Sequence, residues 1–213
     1  MGDMQASSEY VAYALHYVSY LSAGAKAAVI THSQGGPVTQ WSLQFWPSTR
    51  SVTRAFVALS PDFSGIDILS SNLSTICTTI QCQASIWQQR EGSHYYDALQ
   101  AKNFQALVPT TSIWSMFDEV VVPSEDNAQL PGAKVIAVQQ LCPGRLTDHL
   151  FMTIDAAAFA LALDALNHGG TASVLRTLPQ ALKVCLRVNA KNMNINVGNQ
   201  LEALFDDLVD GLM

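Results

Sequence analysis

Charge is scarce in this 213-residue chain: Asp, Glu, Lys and Arg make up 13% of it, against 49% hydrophobic residues. The eleven Lys and Arg are scattered and the net charge is −6. The clustered cations that a phosphate backbone needs are therefore missing, which excludes nucleic acid as a partner. No apolar run is long enough to span a bilayer. The longest, around Asp155 to Leu166, is interrupted by Asp155 and Asp164, so no transmembrane segment is expected. None of the four cysteines forms a C-x-x-C pair, which argues against zinc and thioredoxin-type sites. Repeats and low-complexity tracts are absent. The start, Met1-Gly2-Asp3-Met4-Gln5, has neither the basic patch nor the apolar run of a signal peptide.

What is present suits a single domain over residues 1–213, long enough to bury a core. Cys77, Cys82, Cys142 and Cys185 permit three pairings. Two disulfides outside the cell is the preferred reading over four free thiols. The sequon Asn72-Leu73-Ser74 and the abundance of Ser, Thr, Gln and Asn fit that compartment.

Val11, Ala14, Leu15, Val18 and Leu21 recur at helical spacing, with Gly24 placed to stop the helix. Short apolar runs at Ala27–Thr31, Ala55–Leu59, Thr111–Ser115 and Val135–Val138 read as buried strands. Between them lie a helix from Pro37 to about Pro47, a polar cysteine-bearing excursion from Ser64 to Gln83, and a helix from Tyr95 to Phe104. An Ala-rich helix from Asp155 to Asn167 and a last amphipathic helix over 197–208 complete the pattern. Strands alternating with helices predict an α/β fold: a mostly parallel sheet covered on both faces.

In such sheets, sites form at the carboxyl ends of strands. The first strand runs into Thr31-His32-Ser33-Gln34-Gly35-Gly36-Pro37, a serine in a tight turn that opens a helix. Thr31 stands where the G-x-S-x-G nucleophile motif has its first glycine; Gly35 matches its last. Alone, this turn is equally well a helix cap. The second strand ends at Asp62, the third at Asp118, and the fourth leads to His149. The order Ser, Asp, His is that of α/β-hydrolase triads. Ser33 is thus the candidate nucleophile, with a hydroxyl that needs a base to take its proton. His149 is that base, ahead of His16, His32, His94 and His168. Asp118 is the acid that orients it, with Glu119 and Asp148 as competitors. His32, beside the nucleophile, is expected to line the pocket.

Taken together, Ser8-Glu9-Tyr10, Thr31 to Gly36, Leu59-Ser60-Pro61-Asp62-Phe63-Ser64-Gly65, Trp87-Gln88-Gln89, Val108-Pro109-Thr110-Thr111, Phe117-Asp118-Glu119-Val120-Val121 and Asp148-His149 resemble the fungal lipase family typified by Candida antarctica lipase B. The resemblance runs from about Gly2 to Cys185. It implies a secreted α/β-hydrolase that cleaves carboxylic esters through an acyl-enzyme, without metal or organic cofactor and with possible contact to a lipid interface. By position, Ser33, Asp118 and His149 form the triad, and the backbone N–H of Gln34 is an oxyanion donor. His32, Asp62, Gln89 and Val120 fall to the substrate pocket. Cys142 and Cys185 match a family disulfide, while Cys77 and Cys82 have no counterpart and are left to a local bridge. Two departures stand out. His32 replaces a tryptophan, and the family's initial strands, with further oxyanion donors, lie ahead of the segment matching Gly2. The alternative expectation is therefore a truncated hydrolase-fold protein of weak or no catalysis that binds lipid or a partner chain.

Overall fold

The computed structural model describes residues 2–66, 77, 82–101, 104–194, 196, 200 and 203. Helix α1 (Met4–Leu21) leads to β1 (Ala27–His32), α2 (Gly35–Phe45) and β2 (Thr53–Leu59). Then come α3 (His94–Gln100), β3 (Thr110–Trp114), β4 (Lys134–Ala137), α4 (Ala156–Asn167) and α5 (Val174–Cys185). Short helical turns at Thr49–Val52, Ala84–Gln88, Ser124–Asn127 and Val138–Leu141 join these elements.

The four strands among the described residues are parallel, in the order β1-β2-β3-β4. Every strand therefore points its carboxyl end the same way, and the turns that follow gather on one side of the molecule. β2 is buried on both faces because its side chains alternate between two cores. Val57 and Leu59 join Ile113, Ile136, Met152 and Leu161 on one face. Phe56 and Ala58 pack with Leu43, Phe63 and Leu130 on the other. Among the described residues β1 pairs only with β2, which places it at the edge of the described sheet, with Ile30 51% exposed.

The four strand expectations hold to within two residues. The first helix begins earlier than its apolar spacing indicated, at Met4. Asp3 caps it by accepting from the N–H groups of Gln5 and Ala6 at 2.8 and 3.0 Å. The helix expected over Tyr95–Phe104 is shorter, ending at Gln100. Helix α5 was not anticipated. It contains Pro179, a residue that normally argues against a helix interior. All of the expected last helix over 197–208 except residues 200 and 203 lies outside the described residues, as do the sequon and most of the polar excursion. Both disulfides are present: Cys142–Cys185, with Cα atoms 5.4 Å apart, and Cys77–Cys82, at 4.8 Å. Cys142–Cys185 closes a 43-residue separation, worth about 4 kcal/mol in the chain-entropy account. Among the described residues, no helix is long and apolar enough to cross a membrane.

Candidate active site

β1 ends in a turn that places Ser33 at φ 53°, in the left-handed region that side chains rarely adopt. Two backbone bonds hold it there. Ser33 N–H donates to Leu59 O at 2.9 Å, and Gly36 N–H donates to Ser33 O at 2.8 Å. The turn also needs room. A β-carbon on Gly35 would sit 3.0 Å from Thr31 Cβ, and one on Gly36 only 2.7 Å from Pro61 Cβ. Gly35 was the glycine singled out from the motif; the tighter approach is at Gly36. Gln34 is the N-cap of α2. Its backbone N–H thus has no intrahelical acceptor and lies at the positive end of the helix dipole.

The end of β3 supplies the carboxylate. After Trp114 the chain turns, with Asp118 N–H donating to Ser115 O at 3.3 Å. His149 Nδ1 lies 3.0 and 2.9 Å from the two carboxyl oxygens of Asp118. A carboxylate only accepts, so the imidazole proton sits on Nδ1 and the lone pair is left on Nε2. Both residues are buried, His149 to 3% and Asp118 to 6% exposure. Burial is the largest influence on Asp118 and pushes its pKa up. Hydrogen bonds from His149 and the Val121 amide, with the charge on His149, outweigh it and hold the carboxyl below its ordinary range.

The competing residues have other partners. Glu119 accepts from the backbone N–H of His149 at 3.1 Å, and Asp148 accepts from Phe151 N–H at 2.8 Å. His16 lies 3.1 Å from the Ser48 hydroxyl, His94 pairs with Asp97 at 3.5 Å, and His168 lies beside Asp164. Of the five histidines, the one placed beside the Ser33 turn, together with His32 itself, is His149. His32 Nε2 lies 2.8 Å from His149 O, and the two rings stand 4.6 Å apart, tilted by 46°. No hydrogen bond joins the Ser33 hydroxyl to His149 among the described residues, whose ring bonds run to Asp118.

Asp62 is fully buried, and Tyr96 O–H donates both to its backbone oxygen at 2.6 Å and to Oδ2 at 2.9 Å. Oδ1 has no partner among the described residues. Burial pushes the carboxyl up to about 7, against the lowering effect of the Tyr96 hydroxyl. Gln89 is buried as well, with its amide 3.4 Å from Ser85 O. Its backbone oxygen accepts from Ile66 N–H at 2.8 Å, which ties its segment to the Asp62 turn. Val120 is half-buried and donates its N–H to Asp118 Oδ1 at 3.1 Å, so its first service is to the acid.

Three supporting residues escaped the sequence reading. Ser115 O–H donates to Thr147 O at 2.5 Å, and Gln139 Nε2 bridges to Ser115 Oγ at 3.0 Å and to Arg145 O at 2.9 Å. These bonds join the Asp118 turn to the His149 loop. Nothing in a single sequence marks a Ser, a Gln and a Thr as partners across 24 and 32 positions. Among the described residues, no group of three or more His, Cys, Asp or Glu is arranged to hold a metal ion.

No family model matches the sequence. Compared with known proteins, the chain is 35% identical over 156 residues to lipase B of Pseudozyma antarctica, covering 70% of this chain and 44% of that protein. Among solved structures, Aspergillus fumigatus lipase B superposes with a TM-score of 0.81 at 36% identity, over 92% of this chain and 50% of the other. A Bacillus licheniformis lipase, at 15% identity and TM-score 0.51, shares the fold alone. The chain thus spans about half the length of the two lipase B proteins that it matches. The fold is that of the α/β-hydrolases, with a reduced set of strands among the described residues.

Proposed function

We propose that this relative of the fungal lipase B proteins is a serine ester hydrolase, with Ser33 as nucleophile, His149 as base and Asp118 as the acid that orients it. The observation that carries the reading is the buried His149–Asp118 pair at 2.9 and 3.0 Å, lodged against the residue next to a serine at φ 53°. That pairing leaves Nε2 free to accept a proton, the state a general base requires. Ser33 Oγ attacks the ester carbon while its proton passes to His149 Nε2. The Gln34 N–H donates to the oxyanion of the tetrahedral intermediate. The carbon–oxygen bond to the alcohol then breaks, and His149 returns the proton to the leaving oxygen. Water, deprotonated in turn by His149, releases the acid and restores Ser33.

The resemblance to the lipase B proteins is what assigns Asp62, Gln89 and Val120 to the substrate pocket. Met116, Phe117 and Leu146 expose 60%, 48% and 75% of their surface on the two loops that carry Asp118 and His149. Apolar side chains flanking the pair suit contact with a lipid interface. The two disulfides support an extracellular setting.

A fluorophosphonate probe tests the assignment. The expected result is one label per chain at Ser33, none in Ser33→Ala, and hydrolysis of p-nitrophenyl butyrate that follows the labelling. A folded wild-type protein that takes no label and turns over no ester overturns it. A second reading, in which the fold binds a further polypeptide, is favoured by the edge of β1 that stays unpaired among the described residues. There a cavity of about 380 Å³ lies among Val11, Leu15, Val18, Val29 and Thr39. A folded, unlabelled protein would turn attention to it.

A further inference from the structure

His149 is held at three points. Its ring is fixed through Nδ1 by Asp118, and its backbone N–H donates to Glu119 Oε2 at 3.1 Å. The third point is its own carbonyl, which faces His32 Nε2 at 2.8 Å across 117 positions of sequence. A carbonyl can only accept, so His32 must carry its proton on Nε2 and donate it. His32 is also the residue immediately before Ser33. A bond from its ring to the backbone of the base therefore ties the nucleophile turn directly to the loop that presents the base. The Asp118 contact cannot do this, because it fixes the direction of the imidazole but not its distance from β1.

We propose that His32 is a positioning residue for the base: its Nε2–H, donated to the carbonyl of His149, sets the spacing between the Ser33 turn and the imidazole. This rests on the hydrolase reading above. It also revises what the sequence suggested for His32, which was read as a polar wall of the pocket. One of its two nitrogens is already committed to His149, and its ring lies against the ring of the base. Burial, with the charge on His149, brings His32 down to about 4. The ring is therefore neutral at the pH where a hydrolase works, and it acts as a fixed donor rather than as a second cation beside the imidazole.

Two substitutions separate the donor from the ring. His32→Phe keeps an aromatic ring and loses the N–H. His32→Gln loses the ring and places an amide N–H at about the same reach. The expected result is a fall in kcat of about tenfold for His32→Phe with KM within twofold, and recovery to within about threefold of wild type for His32→Gln. Such a pattern marks misplacement of the base in the transition state rather than lost substrate binding. Equal losses in the two variants, or full kcat in His32→Phe, overturn the proposal. An activity-free readout is solvent exchange of the His149 Nδ1 proton, followed by nuclear magnetic resonance. It should quicken about tenfold in His32→Phe and stay near wild type in His32→Gln; unchanged exchange in His32→Phe overturns the clamp. If wild type shows no Ser33-dependent turnover, the hydrolase reading fails, and the exchange rates still decide the clamp.

Discussion

The β-carbon that Gly36 lacks would lie 2.7 Å from Cβ of Pro61. One glycine thus lets the turn after β1 and the turn after β2 approach each other. Pro61 is rigid and cannot rotate away. Gly36→Ala should therefore destabilise the protein by about 1–3 kcal/mol through overpacking, and it should slow fluorophosphonate labelling by displacing Ser33. Urea denaturation together with the labelling rate measures both effects. Unchanged stability would mean that the two turns separate freely.

Asp118 holds the Nδ1 proton of His149, so replacing it by Asn should leave the fold intact and spoil the tautomer. Asparagine can donate to Nδ1, which would drive the proton to Nε2 and block the lone pair that Ser33 needs. A fall in kcat on the order of 10³–10⁴ is expected, by analogy with the triad of serine proteases. Steady-state ester hydrolysis on a variant of unchanged circular dichroism makes the check. A loss below tenfold would leave Asp118 without the role of orienting acid.

Asp62 should make stability depend on pH. Its folded-state value is raised to about 7, against about 4 for an ordinary carboxyl. Between these values the folded chain holds a proton that the unfolded chain has released, so stability falls as pH rises towards 7 and levels off above it. Asp62→Asn removes this slope and keeps an acceptor for Tyr96. From pH 5 to pH 8 the stability of the variant relative to wild type should improve by on the order of 2 kcal/mol. Urea midpoints at the two pH values give the comparison; a constant difference would show that Asp62 is not the source.

The Cys142–Cys185 bridge joins the segment before the His149 loop to the end of α5. The double variant Cys142→Ser, Cys185→Ser should lose about 4 kcal/mol of stability in the chain-entropy account. Breaking Cys77–Cys82, which spans a separation of five, should cost about half as much. Chemical denaturation of the two double variants side by side tests the ranking. The reverse order would place the larger share of the effect in native contacts rather than in the unfolded chain.

Much of the architecture was legible because it depends on local composition. Ala55 to Leu59 is five apolar residues ended by Ser60-Pro61, and a run that short, closed by proline, reads as a buried central strand. The helix Val174–Cys185 was not legible. Pro179 sits inside it, and its stability comes from packing on α4 and from the disulfide rather than from its own pattern.

Residue type and chain order alone placed a serine, an acid and a histidine after the first, third and fourth strands, so that the turns carrying them meet on one side of a parallel sheet. That meeting is forced by topology, since parallel strands bring every following turn to one side. Only the tertiary structure decided among neighbours. Asp118, Glu119 and Asp148 are alike as carboxylates, yet one takes the ring of His149, one its backbone N–H and one the N–H of Phe151 in its own loop. The same holds for His32, whose bond to His149 spans 117 positions. Hydrogen bonds depend on distances of about 3 Å and on angle, and neither is encoded in spacing along the chain.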